Sequence, residues 1–367
     1  MRNLYLHIGQ PKTGSSFIQK LLADNRAALL DAGLGLGPYM TLPSGKSLPL
    51  RRAIEQHGLA QVIGRLAASP GEHVIVSSEF LRVILADARQ AAAIRDAARP
   101  HFNPVIVLFL RRQDHWHESL FAEDVKTCYA GSIEAFTRTA LETTAAYYDY
   151  DRGVAGLERV FGQERIRIRL FHDQGPNDLV GELLAALDLG IDRSRLQTAG
   201  RQNRSPHRRK VLFLSQVPKP DPRMQDLAAL MARVVENTGA IADDGGRFLL
   251  PPGRRHQLVA PQAAGNRALV ARYGLPDRGH FACPPDPDAD WSPPAPISGR
   301  ERRAVLNEAL RASLRLPGRR YALRMTARVG SLHVRMRDPH RTAATPWLEE
   351  WSCAPGLEDD RDGLKDA

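Results

Sequence analysis

Leu4-Tyr5-Leu6-His7-Ile8-Gly9-Gln10-Pro11-Lys12-Thr13-Gly14-Ser15-Ser16-Phe17-Ile18-Gln19 is the stretch whose reading decides the fold. Leu4 to Ile8 is apolar and β-favouring. Gly9, Pro11 and Gly14 then turn the chain. After Ser15-Ser16 a helical pattern begins, with Phe17, Leu21 and Leu22 on one face. Strand, glycine loop and helix can together hold an anionic phosphate. The glycines let backbone N–H groups approach it, and the positive end of the helix faces it. Lys12 adds a mobile cation. Gly9 to Gly14 has the spacing of the G-x-x-x-x-G half of a P-loop, but Ser15 stands where that motif has lysine. The lysine sits two residues before the second glycine instead. An ordinary strand-to-helix turn is the alternative reading.

Further along the chain, two more polar clusters fall at predicted strand ends. His73-Val74-Ile75-Val76-Ser77 reads as a buried strand leading into Ser78-Glu79. Val105 to Leu110 is the clearest buried strand and ends at Arg111-Arg112. Asp114 is placed to cap the next helix, with Glu118 in its first turn. Arg165 to Leu170 alternates with period two, which predicts a strand with one polar face. Leu34 to Ser47 reads as a loop, 50–68 as helix, and helices are expected over 133–142, 147–161 and 177–188. Strands alternating with helices predict an α/β fold, a P-loop-type parallel sheet flanked by helices. In such sheets ligands gather beyond the carboxyl ends of the strands. Residues 9–16, 77–79 and 111–112 should therefore converge.

From Gln202 the pattern is mostly helical, best over Arg223–Asn237 and Arg254–Tyr273. Residues 283–296 contain six prolines and must be extended or disordered. This divides the chain into a 1–282 α/β domain, a 283–299 linker and a 300–367 basic appendage. In the appendage, Glu301 to Leu314 reads as helix. Tyr321, Leu323, Met325 and Val329, then Leu332, Val334 and Met336, alternate about Gly330-Ser331 as a small hairpin.

With 367 residues, 43% hydrophobic and 25% charged, the chain has the balance of an ordinary globular protein able to bury a large core. Its longest central apolar run, Val105–Leu110, is far too short to span a bilayer. The loop begins at Gly9, which leaves no room for a cleaved leader, so a cytoplasmic location is expected. Cys128, Cys283 and Cys353 are odd in number and widely spaced, suggesting neither a disulfide framework nor a metal knuckle. The net charge of +10 is uneven: residues 300–341 hold twelve Arg against three acids, and 342–367 hold seven acids against Arg361 and Lys365. Only 7 of 51 basic residues are lysine, so compositional bias accounts for much of the basicity.

Pro11-Lys12-Thr13-Gly14-Ser15-Ser16 resembles the 5′-phosphosulfate loop of sulfotransferases that use 3′-phosphoadenosine 5′-phosphosulfate (PAPS). Arg111 at a strand end and Ser119 eight residues on resemble the 3′-phosphate site of that family. Tyr147-Tyr148-Asp149-Tyr150, Phe161-Gly162, Leu187 to Asp192, Asn203-Arg204-Ser205 and Asn266 to Tyr273 are similar to bacterial sulfotransferases. The resemblance covers roughly 1–282; the 283–367 tail has none. One departure is Ser15-Ser16 where Thr-Thr is frequent, which keeps both hydroxyls. The resemblance implies a PAPS-dependent enzyme that sulfates an acceptor hydroxyl or amine, preferably a carbohydrate hydroxyl, with no metal. Gly9, Pro11, Lys12, Thr13, Gly14, Ser15, Ser16, Arg111 and Ser119 would hold the donor, and Lys12 would also stabilise the leaving phosphate. Arg112 is an alternative phosphate or acceptor ligand.

Glu79 is expected to be the general base; helix capping is its competing role. The acceptor is a small molecule or polysaccharide, with no nucleic acid and no membrane span expected. Residues 34–57, with Lys46, Arg51 and His57, are candidate acceptor loops. His115 and His117, two apart on a helix, point about 200° apart and cannot share an ion. A P-loop kinase or NTPase is the runner-up. It needs lysine after Gly14 and an acid ending a strand, for which Asp173 is the choice. An inactive relative that docks polyanions is the third.

Overall fold

The near-continuous apolar run at the end of Arg2–Ile8 has a direct structural consequence in the computed structural model: this strand, β1, is buried on both faces at the centre of a sheet. The structure describes residues 1–40, 48–79, 81, 87–171, 178–198, 206–218, 225–277, 280–317, 322–323 and 325–329. With β2 (Leu34–Leu36), β3 (His73–Ser78), β4 (Phe102–Leu110) and β5 (Ile166–Leu170), β1 forms one parallel sheet in the order β2-β3-β1-β4-β5. The helices in chain order begin with α1 (Ser15–Asp24), α2 (Arg26–Asp31), α3 (Leu48–His57), α4 (Leu59–Ala67), α5 (Ala88–Ala98), α6 (Gln113–Thr127) and α7 (Ile133–Thr143). They continue with α8 (Tyr150–Phe161), α9 (Leu179–Leu187), α10 (Arg208–Ser215), α11 (Gln225–Asn237), α12 (Pro252–Val259), α13 (Ala263–Tyr273) and α14 (Gly299–Leu314).

The chain divides into two units. The first is Met1–Trp116, Ala146–Arg204 and Gln257–Pro284; the second is His117–Ala145, Ser205–His256 and Pro285–Ala367. The first unit holds the sheet. Successive strand side chains point to opposite faces, so each face builds its own core. Leu4, Leu6, Ile8, Val74, Val76, Ile106, Leu108, Ile166 and Ile168 meet Val62, Leu66, Ile94, Val154 and Leu157 from α4, α5 and α8. Tyr5, Ile75, Val105, Val107 and Phe109 meet Ile18, Leu21 and Leu22 of α1 and Leu183 and Leu187 of α9. In β5, Ile166, Ile168 and Leu170 are buried while Arg167 and Arg169 stay half-exposed, as the period-two pattern predicts.

The register fixes where the strands end. Ile8 lies opposite both Ser78 of β3 and Leu108 of β4. The residues that follow β1, β3 and β4 therefore leave the sheet at one edge.

The second unit contains no strand among its described residues. Arg208 and Arg209, at the start of α10, are buried and organise it. Arg208 Nε donates to both oxygens of Asp244 (2.9 and 3.0 Å), and its Nη1 donates to the Phe248 and Ser292 carbonyls. Arg209 donates through both Nη atoms to Glu301 at 2.9 Å, and to the Ala295 and Pro296 carbonyls. The Glu118 carboxylate accepts the Leu249 and Leu250 amides, each at 2.9 Å.

Several expectations are corrected. Leu34–Leu36 is the edge strand β2 rather than part of a loop: three residues pairing with β3 are too short to show a period. The 50–68 helix is two helices separated by Gly58. Residues 325–329 are helical, so the expected hairpin is absent where it begins, and its second arm lies outside the described residues. The domain scheme of 1–282, 283–299 and 300–367 also differs from the contacts. The proline-rich stretch is extended, but its carbonyls are bound by Arg208 and Arg209, and α14 packs on α11 within the second unit. Prolines lack N–H groups yet keep carbonyl acceptors, so such a stretch can be built in as readily as it can link. Among the described residues no helix is long and apolar enough to cross a membrane.

Candidate functional site

The loop after β1 has a constrained backbone. Lys12 is held at φ 67 and Gly14 at φ 84, both left-handed. Gly14 tolerates this because it lacks Cβ; a Cβ there would also meet Leu179 Cδ1 at 2.5 Å. Lys12 has no such freedom, and a non-glycine residue there costs about 1–3 kcal/mol. α1 starts directly after Gly14, with no side-chain cap, so its first N–H groups face the loop.

The loop is fastened from within and from its flank. Thr13 Oγ1, fully buried, donates to the Gln10 carbonyl at 2.7 Å. The Trp116 indole N–H donates to the Pro11 carbonyl at 3.1 Å. Arg111 Nη1 donates to the Lys12 carbonyl at 3.0 Å, and the Arg111 guanidinium lies over the Phe171 ring. Gln10 Nε2 donates to Tyr150 Oη at 2.9 Å, Tyr150 Oη donates to the Arg111 carbonyl at 2.9 Å, and the Arg111 amide reaches Gln10 Oε1 at 3.3 Å.

Glu79 arrives from β3. The Ser15 hydroxyl donates to Glu79 Oε1. A Cβ on Gly9 would stand 2.9 Å from Ser15 Cβ and 3.0 Å from Glu79 Cγ, so only glycine permits this approach. Lys12, Ser15, Glu79 and Arg111 therefore gather at one sheet edge, along with the other expected loop residues. Beneath them lies His7, fully buried on β1. Its Nδ1 is 2.6 Å from Ser77 Oγ, its ring meets Phe109 edge-on, and burial pushes its pKa down to about 4.

Other expected residues go elsewhere. Arg112 forks onto Asp114 at 2.7 and 2.9 Å and donates to the His280 and Cys283 carbonyls, so this guanidinium serves as a structural clamp. Asp114, fully buried, is the second residue of α6 rather than its cap, and its carboxylate accepts the Arg112 fork. Glu118 lies beyond the first turn of α6. His115 Nε2 faces Arg112 Nη2 at 3.0 Å, and in the second unit His117 Nε2 faces Thr137 Oγ1 at 2.8 Å. Ser119 is half-buried in the portion of α6 that belongs to the second unit. Arg51 pairs with Glu55 on α3, and His57 ends that helix. Lys46, Asp173 and Asn203 to Ser205 lie outside the described residues. Among the described residues no three His, Cys, Asp or Glu side chains are grouped to hold a metal.

Gln10, Tyr150 and the Gln113–Asn266 pair were not legible as site residues. Gln113 and Asn266 exchange reciprocal amide hydrogen bonds at 3.0 Å, and Gln113 also donates to the Tyr148 carbonyl. The available signal was a polar residue between Gly9 and Pro11, and a tyrosine cluster just before a helix. No protein-family model matches the chain, and neither a curated protein nor a solved structure matches it.

Proposed function

We propose that the chain is a cytoplasmic sulfotransferase that moves a sulfuryl group from PAPS to an acceptor hydroxyl, with carbohydrates the favoured acceptor class. The observation that carries this reading is Lys12, held left-handed in a loop between β1 and α1, with Arg111 of the neighbouring strand end bound to its carbonyl. Strained backbone persists where the surroundings over-determine it, and it clusters at ligand sites. The displaced lysine matches a phosphosulfate loop rather than a nucleotide kinase.

In this reading the acceptor oxygen bonds to sulfur as the bond from sulfur to the 5′-phosphate oxygen breaks. Glu79 takes the acceptor proton. Lys12, the loop amides and the Ser15 and Ser16 hydroxyls meet the charge that builds on the leaving phosphate. Arg111 recognises the 3′-phosphate through its guanidinium.

One contact favours a second reading. A hydroxyl opening α1 beside a carboxylate from the adjacent strand, Ser15 with Glu79, is also the kind of pair that holds Mg²⁺ in P-loop NTPases. Ser15 in the lysine position weighs against it. Thermal-shift titration decides, because a ligand that binds the folded state raises apparent stability by mass action. Adenosine 3′,5′-bisphosphate without metal should raise Tm, and ATP–Mg²⁺ should not; the reverse result replaces the sulfotransferase with a kinase or NTPase.

A further inference from the structure

We infer that Gln10 and Tyr150 are positioning residues that fix the spacing between the Lys12 loop and Arg111. Three hydrogen bonds close a ring through Gln10, Tyr150 and Arg111, joining the first residues beyond Gly9 to the residue that follows β4. The Tyr150 hydroxyl accepts from Gln10 and donates to the Arg111 carbonyl. The Gln10 amide donates to Tyr150 and accepts from the Arg111 N–H. Gln10 and Tyr150 are only 3% and 6% exposed, so water does not replace these partners readily.

The ring is stiff. The Tyr150 ring stacks on Phe281 at 6.0 Å and 9° and meets Trp116 edge-on at 6.4 Å. Trp116 in turn holds the Pro11 carbonyl. Lys12 is thus flanked by three anchors: Gln10 through the ring, Pro11 through Trp116, and its own carbonyl through Arg111. Neither Gln10 nor Tyr150 needs to touch a ligand. Their effect is on a ligand that must engage the loop and Arg111 together, since its affinity depends on the distance between them. A ligand that engages the loop alone is indifferent to that distance.

The ligand arm of the test rests on the sulfotransferase reading; a second arm does not. Tyr150→Phe removes the hydroxyl and keeps the stacked ring. Tyr147→Phe, in the same cluster but outside the ring, is the control. We expect Tyr150→Phe to weaken adenosine 3′,5′-bisphosphate at least tenfold and adenosine 5′-monophosphate by less than threefold, with Tyr147→Phe unchanged for both. Equal weakening of both nucleotides overturns the inference, because a general loss of folding has no reason to discriminate. Amide hydrogen exchange in the ligand-free protein is the independent arm. Exchange over residues 9–14 and at Arg111 should rise in Tyr150→Phe while residues 4–7 and 105–108 stay protected; unchanged exchange also overturns the inference. If the wild type binds neither nucleotide, the sulfotransferase reading fails while hydrogen exchange still decides the ring. Gln10→Met opens the same ring from the other side and replaces Tyr150→Phe if that variant does not fold.

Discussion

Arg111 in the first unit and Arg208 and Arg209 in the second brace different kinds of structure. The second unit buries both guanidiniums to below a tenth of their exposure and forks them onto Asp244 and Glu301, with backbone carbonyls taking further donors. Buried ion pairs of this kind define a structure, and breaking one leaves an uncompensated charge. Arg111 is half-buried at a strand end, lies over the Phe171 ring, and donates to the carbonyl of a strained lysine. Its neighbour Arg112, one residue later, is forked onto Asp114 like the pair in the second unit. Adjacent arginines with identical chemistry thus brace different segments: Arg111 holds the Lys12 carbonyl, and Arg112 holds Asp114 with the His280 and Cys283 carbonyls.

The comparison breaks most visibly at Lys12. If the loop is a ligand site, Lys12→Ala should lower sulfuryl transfer by about a thousandfold, the scale of losing a charge-stabilising donor, with little change in Tm. Lys20→Ala, which removes only a surface pair with Asp24 on α1, should leave turnover unchanged and cost under about 1 kcal/mol. Equal effects from the two substitutions, read by steady-state kinetics and thermal melts, would place Lys12 among ordinary surface residues.

Glu79 sharpens the same contrast at smaller scale. Glu79→Gln keeps an oxygen for the Ser15 hydroxyl and removes the capacity to take a proton. Turnover should fall by about a hundredfold or more, with bisphosphate affinity nearly intact. A folded, donor-binding variant with ordinary turnover would end the base assignment.

These residues also mark how far the sequence could be read. Gly9, Lys12, Gly14, Glu79 and Arg111 were legible because local pattern carries them: strand periodicity puts each at a strand end, and parallel strands end together. Which arginine braces the loop was not legible. The choice between Arg111 and Arg112 rests on Asp114, His280 and Cys283, and two of those lie more than 160 residues away. Gln10 and Tyr150 were hidden for the same reason, since their ring closes over 140 residues. The proline-rich stretch misled because composition reports the lack of N–H donors but not the arginines that come to its carbonyls.

The two units should also differ in how they meet acid. His7, buried in the first unit, has its pKa lowered to about 4 by burial. Between that value and the ordinary pKa near 6.5 the unfolded chain binds more protons than the folded one. Stability from this group is therefore complete above about pH 6.5 and falls as pH drops towards 4, by about 3 kcal/mol in all. Urea unfolding at a series of pH values should show this slope, and His7→Met should flatten it. A slope that survives His7→Met assigns the acid sensitivity to another group.

Asp244 in the second unit has the later and smaller window. Its hydrogen bond from Arg208, helped by the Ala295 and Gly246 amides, holds its pKa at about 2 against an ordinary 3.8. A carboxyl depressed in the folded state contributes stability that is present above about pH 3.8 and is lost as pH falls towards 2. The whole contribution is about 2 kcal/mol. Acid should therefore loosen the environment of His7 first and that of Asp244 only afterwards. Hydrogen exchange resolves the two, because it reports local opening rather than one global midpoint. Protection over residues 5–8 should decline between pH 6.5 and 4, while protection at the Gly246 and Ala295 amides, both bound to Asp244, should persist to below pH 4. Asp244→Asn keeps the amide-accepting oxygen and removes the titrating proton, so it should abolish the low-pH loss at Gly246 and leave the His7 window untouched. Simultaneous loss of both regions near pH 5 in the wild type would show that the two units unfold as one, and would remove the electrostatic contrast from which the comparison starts.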